Sequence, residues 1–130
     1  MSGLITLIEG SSTAPETVAR AKSLVRSGEC VLVLLDSCHT RDHVRAELEA
    51  YHPLVTPGSY IVATDGVMQD LHDVPLGQPG WLSDNPVRAV YDFLAAHPAF
   101  KLEQPPRIFC ETSLTQNITY WPAAYLRRGG

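Results

Sequence analysis

The sequence has little cysteine, no long apolar run and no concentration of basic charge, and each shortage removes a class of protein. Its three cysteines, Cys30, Cys38 and Cys110, are an odd number, and no two have C-x-x-C spacing. That argues against a disulfide framework and a structural zinc site. Cys30 opens an apolar stretch and reads as a small buried hydrophobe. The longest apolar run, Cys30 to Leu35, falls far short of the roughly 20 residues that a membrane-spanning helix needs. Ten Lys and Arg residues stand against fourteen Asp and Glu, a net charge of −4, and the basic ones are scattered. Without a basic stripe, nucleic acid is not an expected partner. The N-terminus lacks the charged, apolar and small-residue order of a signal peptide, so the expected location is the cytoplasm. There is no internal repeat, no low-complexity segment, and no G-x-G turn after a strand.

What remains is an ordinary globular composition. Of 130 residues, 45% are apolar and 18% charged. That suffices for one domain with its own core and is too little for two.

Apolar patterning organises the chain. Leu4 to Ile8, β-branched and bounded by Gly3 and Gly10, predicts a buried strand. Thr13 and Glu16 have capping-box spacing and Pro15 suits a first helical turn. A helix should follow, with Val18, Ala21 and Val25 on one face, stopped by Gly28. Cys30 to Leu35 predicts a central parallel strand covered on both faces. Arg41 to Tyr51 predicts a helix with Val44, Leu48 and Tyr51 on its core face. Ser59 to Ala63 reads as another strand, and Val67 to Ser83, with two prolines and two glycines, as a long loop and the most mobile internal segment. Asp84-Asn85-Pro86 starts a helix that buries Val87, Val90, Phe93 and Leu94 and ends at His97-Pro98. Two strands should close the chain, Lys101 to Cys110 and Thr115 to Tyr120. This alternation predicts an α/β fold, a mostly parallel sheet with an antiparallel C-terminal strand and helices on both faces.

Ligands in such sheets bind beyond the C-terminal ends of the strands. Three clusters fall there: Glu9-Gly10-Ser11-Ser12, Asp36-Ser37-Cys38-His39 and Thr64-Asp65-Gly66. Asp36 and Asp65, at the ends of neighbouring strands, suit a hard cation such as magnesium. Spacing alone favours the plainer reading, that each caps a turn or helix. His39 and His43, at i and i+4, share a helix face, and with Asp36 they resemble a two-His, one-carboxylate metal set. The pair lacks the adjacent Glu of a zinc-protease motif, so His39 poised over a cleft as a general base is the simpler reading. Cys38 is either a reactive thiol or packed, and Trp81 either a lid residue or a loop anchor.

The run Val31-Leu-Val-Leu-Leu-Asp36-Ser-Cys-His39-Thr, continuing through His43-Val, Glu47-Leu48 and Pro57-Gly-Ser-Tyr60-Ile-Val, resembles the cephalosporin hydroxylase family. That family has a strand leading into Asp-Ser-Asp-His-Thr and later Gly-Ser-Tyr-Leu-Val-Val-Glu-Asp. The opening Ile5-Thr-Leu-Ile-Glu-Gly-Ser-Ser is similar to its Ile-Glu-Gly-Asp-Ser, and Pro122-Ala-Ala-Tyr125-Leu126-Arg127 to its closing motif. The resemblance covers nearly the whole chain.

It implies a Rossmann-like class I fold that uses S-adenosylmethionine, related to the rhamnosyl O-methyltransferases. It further implies magnesium at Asp36 and Asp65, His39 as the catalytic histidine beside the metal, and Ser11 and Ser12 at the cofactor. Three family acids are neutral here: Ser11, Cys38 and Thr64. The family's glycine-rich cofactor turn has no counterpart, so the expectation is a single truncated domain, 1–130, beginning at the family's third strand. Its partners would be a small-molecule hydroxyl substrate, a sugar or secondary metabolite, and a second copy or a complementing chain. Activity would be incomplete in this chain alone. Two other readings stay open: a non-enzymatic dimerisation or partner-binding module, and a metal-dependent oxygenase or hydrolase using Asp36, His39 and His43.

Overall fold

A computed structural model describes residues 4–104 and 119–130. Its elements are α1 (Pro15–Leu24), β1 (Val33–Leu35), α2 (Arg41–Tyr51), β2 (Tyr60–Ala63), α3 (Pro86–Ala96), β3 (Phe100–Leu102) and β4 (Tyr125–Arg128). The strands form one sheet in the order β1-β2-β4-β3. β1 and β2 pair in parallel, with Leu35 opposite Ala63. β4 pairs antiparallel with both β2 and β3. Three strands therefore share one direction and the C-terminal strand opposes them, which is the α/β arrangement that the sequence predicts.

The core forms where α2 and α3 cross one face of the sheet. Val44 and Leu48 of α2 meet Ala89, Val90 and Phe93 of α3 over Leu35, Ile61, Ala63, Phe100 and Leu126. The 3.6-residue spacing in both helices explains this, because it gathers the apolar side chains into one stripe. α2 has the bounds that its pattern predicts. α3 starts as expected: Asn85 accepts a hydrogen bond from the Arg88 N–H, and Pro86 occupies the first turn. Asn85 is fully buried because its amide also donates to the Trp81 and Leu82 carbonyls, which fixes the end of the preceding 3₁₀ turn, Pro79–Leu82. Trp81 is thus tied to α3 through its backbone.

Several expectations need correction. Leu4–Ile8 joins no strand; Leu4, Ile5 and Leu7 are exposed. A strand needs ladder partners for its backbone, and this segment has none among the described residues. The expected central strand Cys30–Leu35 shortens to Val33–Leu35 and lies at the sheet edge, with Leu32 and Leu34 exposed. Its length is limited by β2, its one partner among the described residues. The Thr13–Glu16 capping box does not form. Ala14 occupies the cap position without a side-chain bond, and Thr13 instead hydrogen-bonds Ser11. α1 ends at Leu24, before Gly28, and Val25 is exposed. Within 67–83 the loop contains short 3₁₀ turns at Gly66–Asp70 and Pro79–Leu82. The expected strand Lys101–Cys110 begins one residue earlier as Phe100–Leu102. Its residues from 105, like most of the expected strand Thr115–Tyr120, lie outside the described residues. The closing strand is Tyr125–Arg128, and Tyr120 lies in no strand.

Candidate functional site

The C-terminal ends of β1 and β2 place two acidic residues side by side. Asp36 directly follows β1, and Asp65 lies two residues past β2. The parallel register continues beyond the strands, since the Thr64 N–H donates to the Leu35 carbonyl at 3.2 Å. Asp65 takes a left-handed backbone, φ 55°, a conformation that Asp tolerates better than most residues. That twist starts the Gly66–Asp70 turn and swings the carboxylate back over the strand end.

His39 completes the group. Its Nε2 lies 3.5 Å from Asp36 Oδ1 and 3.3 Å from Asp65 Oδ2. One donor atom from each of the three residues falls within 4.8 Å of the others. The Nε2 atom is shielded from solvent and forms no hydrogen bond to either carboxylate. A buried nitrogen without a partner costs about 1–3 kcal/mol, so this position favours a water or cation between the ring and the carboxylates. The Thr64 hydroxyl, 2.8 Å from Asp36 Oδ1 and 3.0 Å from the Leu35 carbonyl, shares its one proton between these acceptors and holds Asp36 in place.

His43 does not join His39. It faces a second polar group, where its Nε2 lies 3.1 Å from both Ser12 Oγ and Ser37 Oγ. The Asp36–His39–His43 set is therefore not assembled; one helical turn at the start of α2 separates the two rings. Ser37 also donates to Glu47 Oε1 at 2.7 Å. Glu47 is buried, 2% exposed, and its Oε2 has no hydrogen-bond partner. The pattern of α2 gives Glu47 away only through its i+4 spacing from His43, a signal the apolar reading passes over. The glutamate and histidine meet the serines through one ring nitrogen, not through opposite ones, so the geometry is not that of a serine-hydrolase triad.

Ser11 and Ser12 flank this second group. With Gly10, Ser37, Cys38 and His43 they line an open cleft of about 440 Å³. An adjoining cavity of about 310 Å³ runs along β1, bounded by Ser12, Val33 to Ser37, Glu47 and Tyr51. Cys38 is exposed, with its sulfur 3.7 Å from the Thr40 hydroxyl.

Tyr51 closes the cavity from α2. Its hydroxyl donates to the Ser12 carbonyl at 2.7 Å. Burial first, and then the nearby Glu47 carboxylate, push its pKa above the ordinary 10.0. The folded state thus holds the phenolic proton more tightly than the unfolded chain does. The resulting stabilisation is complete below about pH 10 and is lost as pH rises through the higher folded value. In alkaline denaturation, Tyr51→Phe should flatten the decline in stability above pH 10. An unchanged pH slope would mean that other groups cause that decline.

Magnesium takes oxygen ligands and keeps several waters. Asp36 and Asp65 offer two carboxylates on a rim open enough for those waters, with side chains 59% and 39% exposed. The donor set fits such an ion. Cys38 and Thr64 add no charge to it.

A family model described as Rhamnosyl O-methyltransferase/CmcI matches residues 1–129. No curated protein and no solved structure matches the chain.

Proposed function

This chain belongs to the rhamnosyl O-methyltransferase/CmcI family, and from that premise we propose that it contributes the metal and acceptor side of an O-methyltransferase site. The substrate would present a hydroxyl on a sugar or secondary metabolite, with S-adenosylmethionine as methyl donor. The observation that carries the reading is the convergence of Asp36, His39 and Asp65 at the ends of paired parallel strands.

Asp36 and Asp65 would hold magnesium, which when bound acidifies and orients a hydroxyl coordinated to it. Thr64 keeps Asp36 from rotating away. His39 Nε2, shielded and without a hydrogen-bond partner, is placed to take the hydroxyl proton as the oxygen becomes nucleophilic. Ser11 and Ser12 border the open cleft beside His43, where they would face the cofactor. No glycine-rich turn follows a strand among the described residues, so these two serines do not make a complete cofactor cradle.

Titration calorimetry with magnesium and manganese tests the metal. Weak, saturable binding is expected for the wild-type chain and none for Asp36→Ala/Asp65→Ala. Equal heats for the two proteins would sink the proposal. S-adenosylhomocysteine should give no saturable signal below about 1 mM, which corresponds to about −4 kcal/mol. Micromolar binding would mean that this chain cradles the cofactor unaided.

A second reading, a module that pairs with another chain, draws on the open β1 edge with exposed Leu32 and Leu34, and on exposed Leu4, Ile5 and Leu7. Unpaired apolar edges favour association, either with a second copy or with a complementing chain. Light scattering at micromolar concentration should show a dimer or larger species. A clean monomer would remove the self-association form of this reading.

A further inference from the structure

A second group of ligand-type side chains lies at the other end of the sheet. α2 and α3 both start near the C-terminal strand ends and run back across the sheet, so their C-termini meet on the opposite side. With about 1.5 Å of rise per residue, α2 carries the chain roughly 16 Å away from His39. Glu49 lies in the last turn of α2, His52 follows its end, and His97 caps the end of α3.

We propose that Glu49, His52 and His97 form a site for a borderline divalent ion, with zinc as its natural occupant. His97 Nε2 lies 3.0 Å from each Glu49 oxygen. The His52 and His97 rings are 4.4 Å apart between centroids. One donor atom from each of the three residues lies within 4.8 Å of the others. Tetrahedral zinc with bonds of 2.0–2.2 Å holds neighbouring ligand atoms about 3.3 Å apart. Glu49 and His97 already have nearly that separation, and His52 lies within 4.8 Å of both.

Three further features favour a cation here. Two imidazoles and one carboxylate form a mixed nitrogen and oxygen set, which suits zinc better than magnesium. Two helix C-termini converge, and their unsatisfied carbonyls bring partial negative charge. The His52 ring nitrogens form no hydrogen bond among the described residues, while Phe93 and Phe100 meet the ring edge-on at 5.4 and 5.8 Å and fix its plane. Phe93 also stacks on His97 at 4.2 Å. Such packing holds imidazoles in position, the role that surrounding groups play in established metal sites. Positive charge at His52 is disfavoured first by burial and by His97, and then by Arg128, which donates to the Pro53 and Val55 carbonyls, and by Lys22. Affinity should therefore be micromolar. The site lies away from the candidate methyl-transfer centre, so its ion would staple α2 to α3 and leave a fourth position to water.

Zinc titration of the chelator-stripped chain, followed by calorimetry and thermal unfolding, provides the test. One zinc per chain is expected, with Kd at or below about 10 µM, −7 kcal/mol or better, and a higher unfolding temperature. His97→Gln and Glu49→Gln should each weaken it at least tenfold. Asp36→Asn should leave it unchanged, which separates this site from the one beside His39. Should His97→Gln fail to fold, Glu49→Gln decides, since Glu49 is exposed and carries no core packing. The proposal is overturned if zinc does not saturate below about 100 µM, if Glu49→Gln binds like wild type, or if Asp36→Asn alone abolishes binding.

Discussion

Replacing Phe93 by alanine is expected to lower the free energy of unfolding by about 3–5 kcal/mol. Phe93 is 1% exposed and sits where α3 meets α2 and the sheet. Its ring makes an edge contact with Phe100 at 5.3 Å and with His52 at 5.4 Å, and stacks on His97 at 4.2 Å. Truncation removes the transfer energy of the ring and leaves a cavity that short strands and two crossing helices cannot close. Domains of this size have roughly 5–15 kcal/mol in total, so the loss is about a fifth of the stability or more. Urea denaturation followed by far-UV circular dichroism measures it. The midpoint should fall with little change in slope, because the same surface is exposed on unfolding. A loss under about 1 kcal/mol would show that the α2–α3 layer repacks freely and that this core contributes little to the fold.

That core was the most legible part of the fold, for a local reason. α2 and α3 each carry their own start signal, apolar stripe and stop within a dozen residues, so nothing distant is needed to recognise them. The strands are different. Val33–Leu35 is a strand because Ile61–Ala63 lies beside it, and Tyr125–Arg128 because Tyr60–Val62 and Phe100–Leu102 do. Leu4–Ile8 has the more convincing strand composition and forms none. β-propensity expresses fit to a partner surface, and the sequence does not say which segment lacks a partner. β4 is hard to see because Arg127 and Arg128 look like a solvated tail. In fact Arg128 donates to the Pro53 and Val55 carbonyls, and Arg127 pairs with Glu103 across the sheet.

The candidate site divides along the same line. Asp36 and Asp65 could be placed together because each follows an apolar strand, and strand ends are where a parallel sheet gathers its loops. The missing zinc-protease glutamate already set His39 apart from His43 in the sequence, and the structure places the two rings in different polar groups. Glu47 stayed hidden because a glutamate between core positions of a helix normally turns to solvent. Its partners in the buried state are the Ser37 hydroxyl at 2.7 Å and the His43 ring at 3.5 Å. The Glu49–His52–His97 group was invisible for a similar reason, since it needs the ends of two helices to meet.

Gly66→Ala is expected to damage fold and site together. Gly66 follows Asp65 and begins the 3₁₀ turn, packed tightly beneath the chain at Pro122. A Cβ added there would lie 2.6 Å from the Pro122 carbonyl oxygen and 2.7 Å from Val87 Cγ2. Real Cβ atoms do not approach that closely, and a backbone carbonyl has no rotamer by which to retreat. Either the Pro122 segment moves off, pulling on Ala124 and its bond to the Ala63 N–H, or the turn moves and takes the Asp65 carboxylate away from His39. Overpacking of this kind costs about 1–3 kcal/mol. Gly80→Ala is the matched control, because a Cβ there meets nothing within 4 Å. Urea midpoints should fall for Gly66→Ala and hold for Gly80→Ala, and magnesium affinity should drop at least tenfold in the first alone. If Gly66→Ala keeps wild-type stability, the close packing at Pro122 is not real. If it loses stability but keeps its metal affinity, Asp65 is not fixed by the turn that follows it.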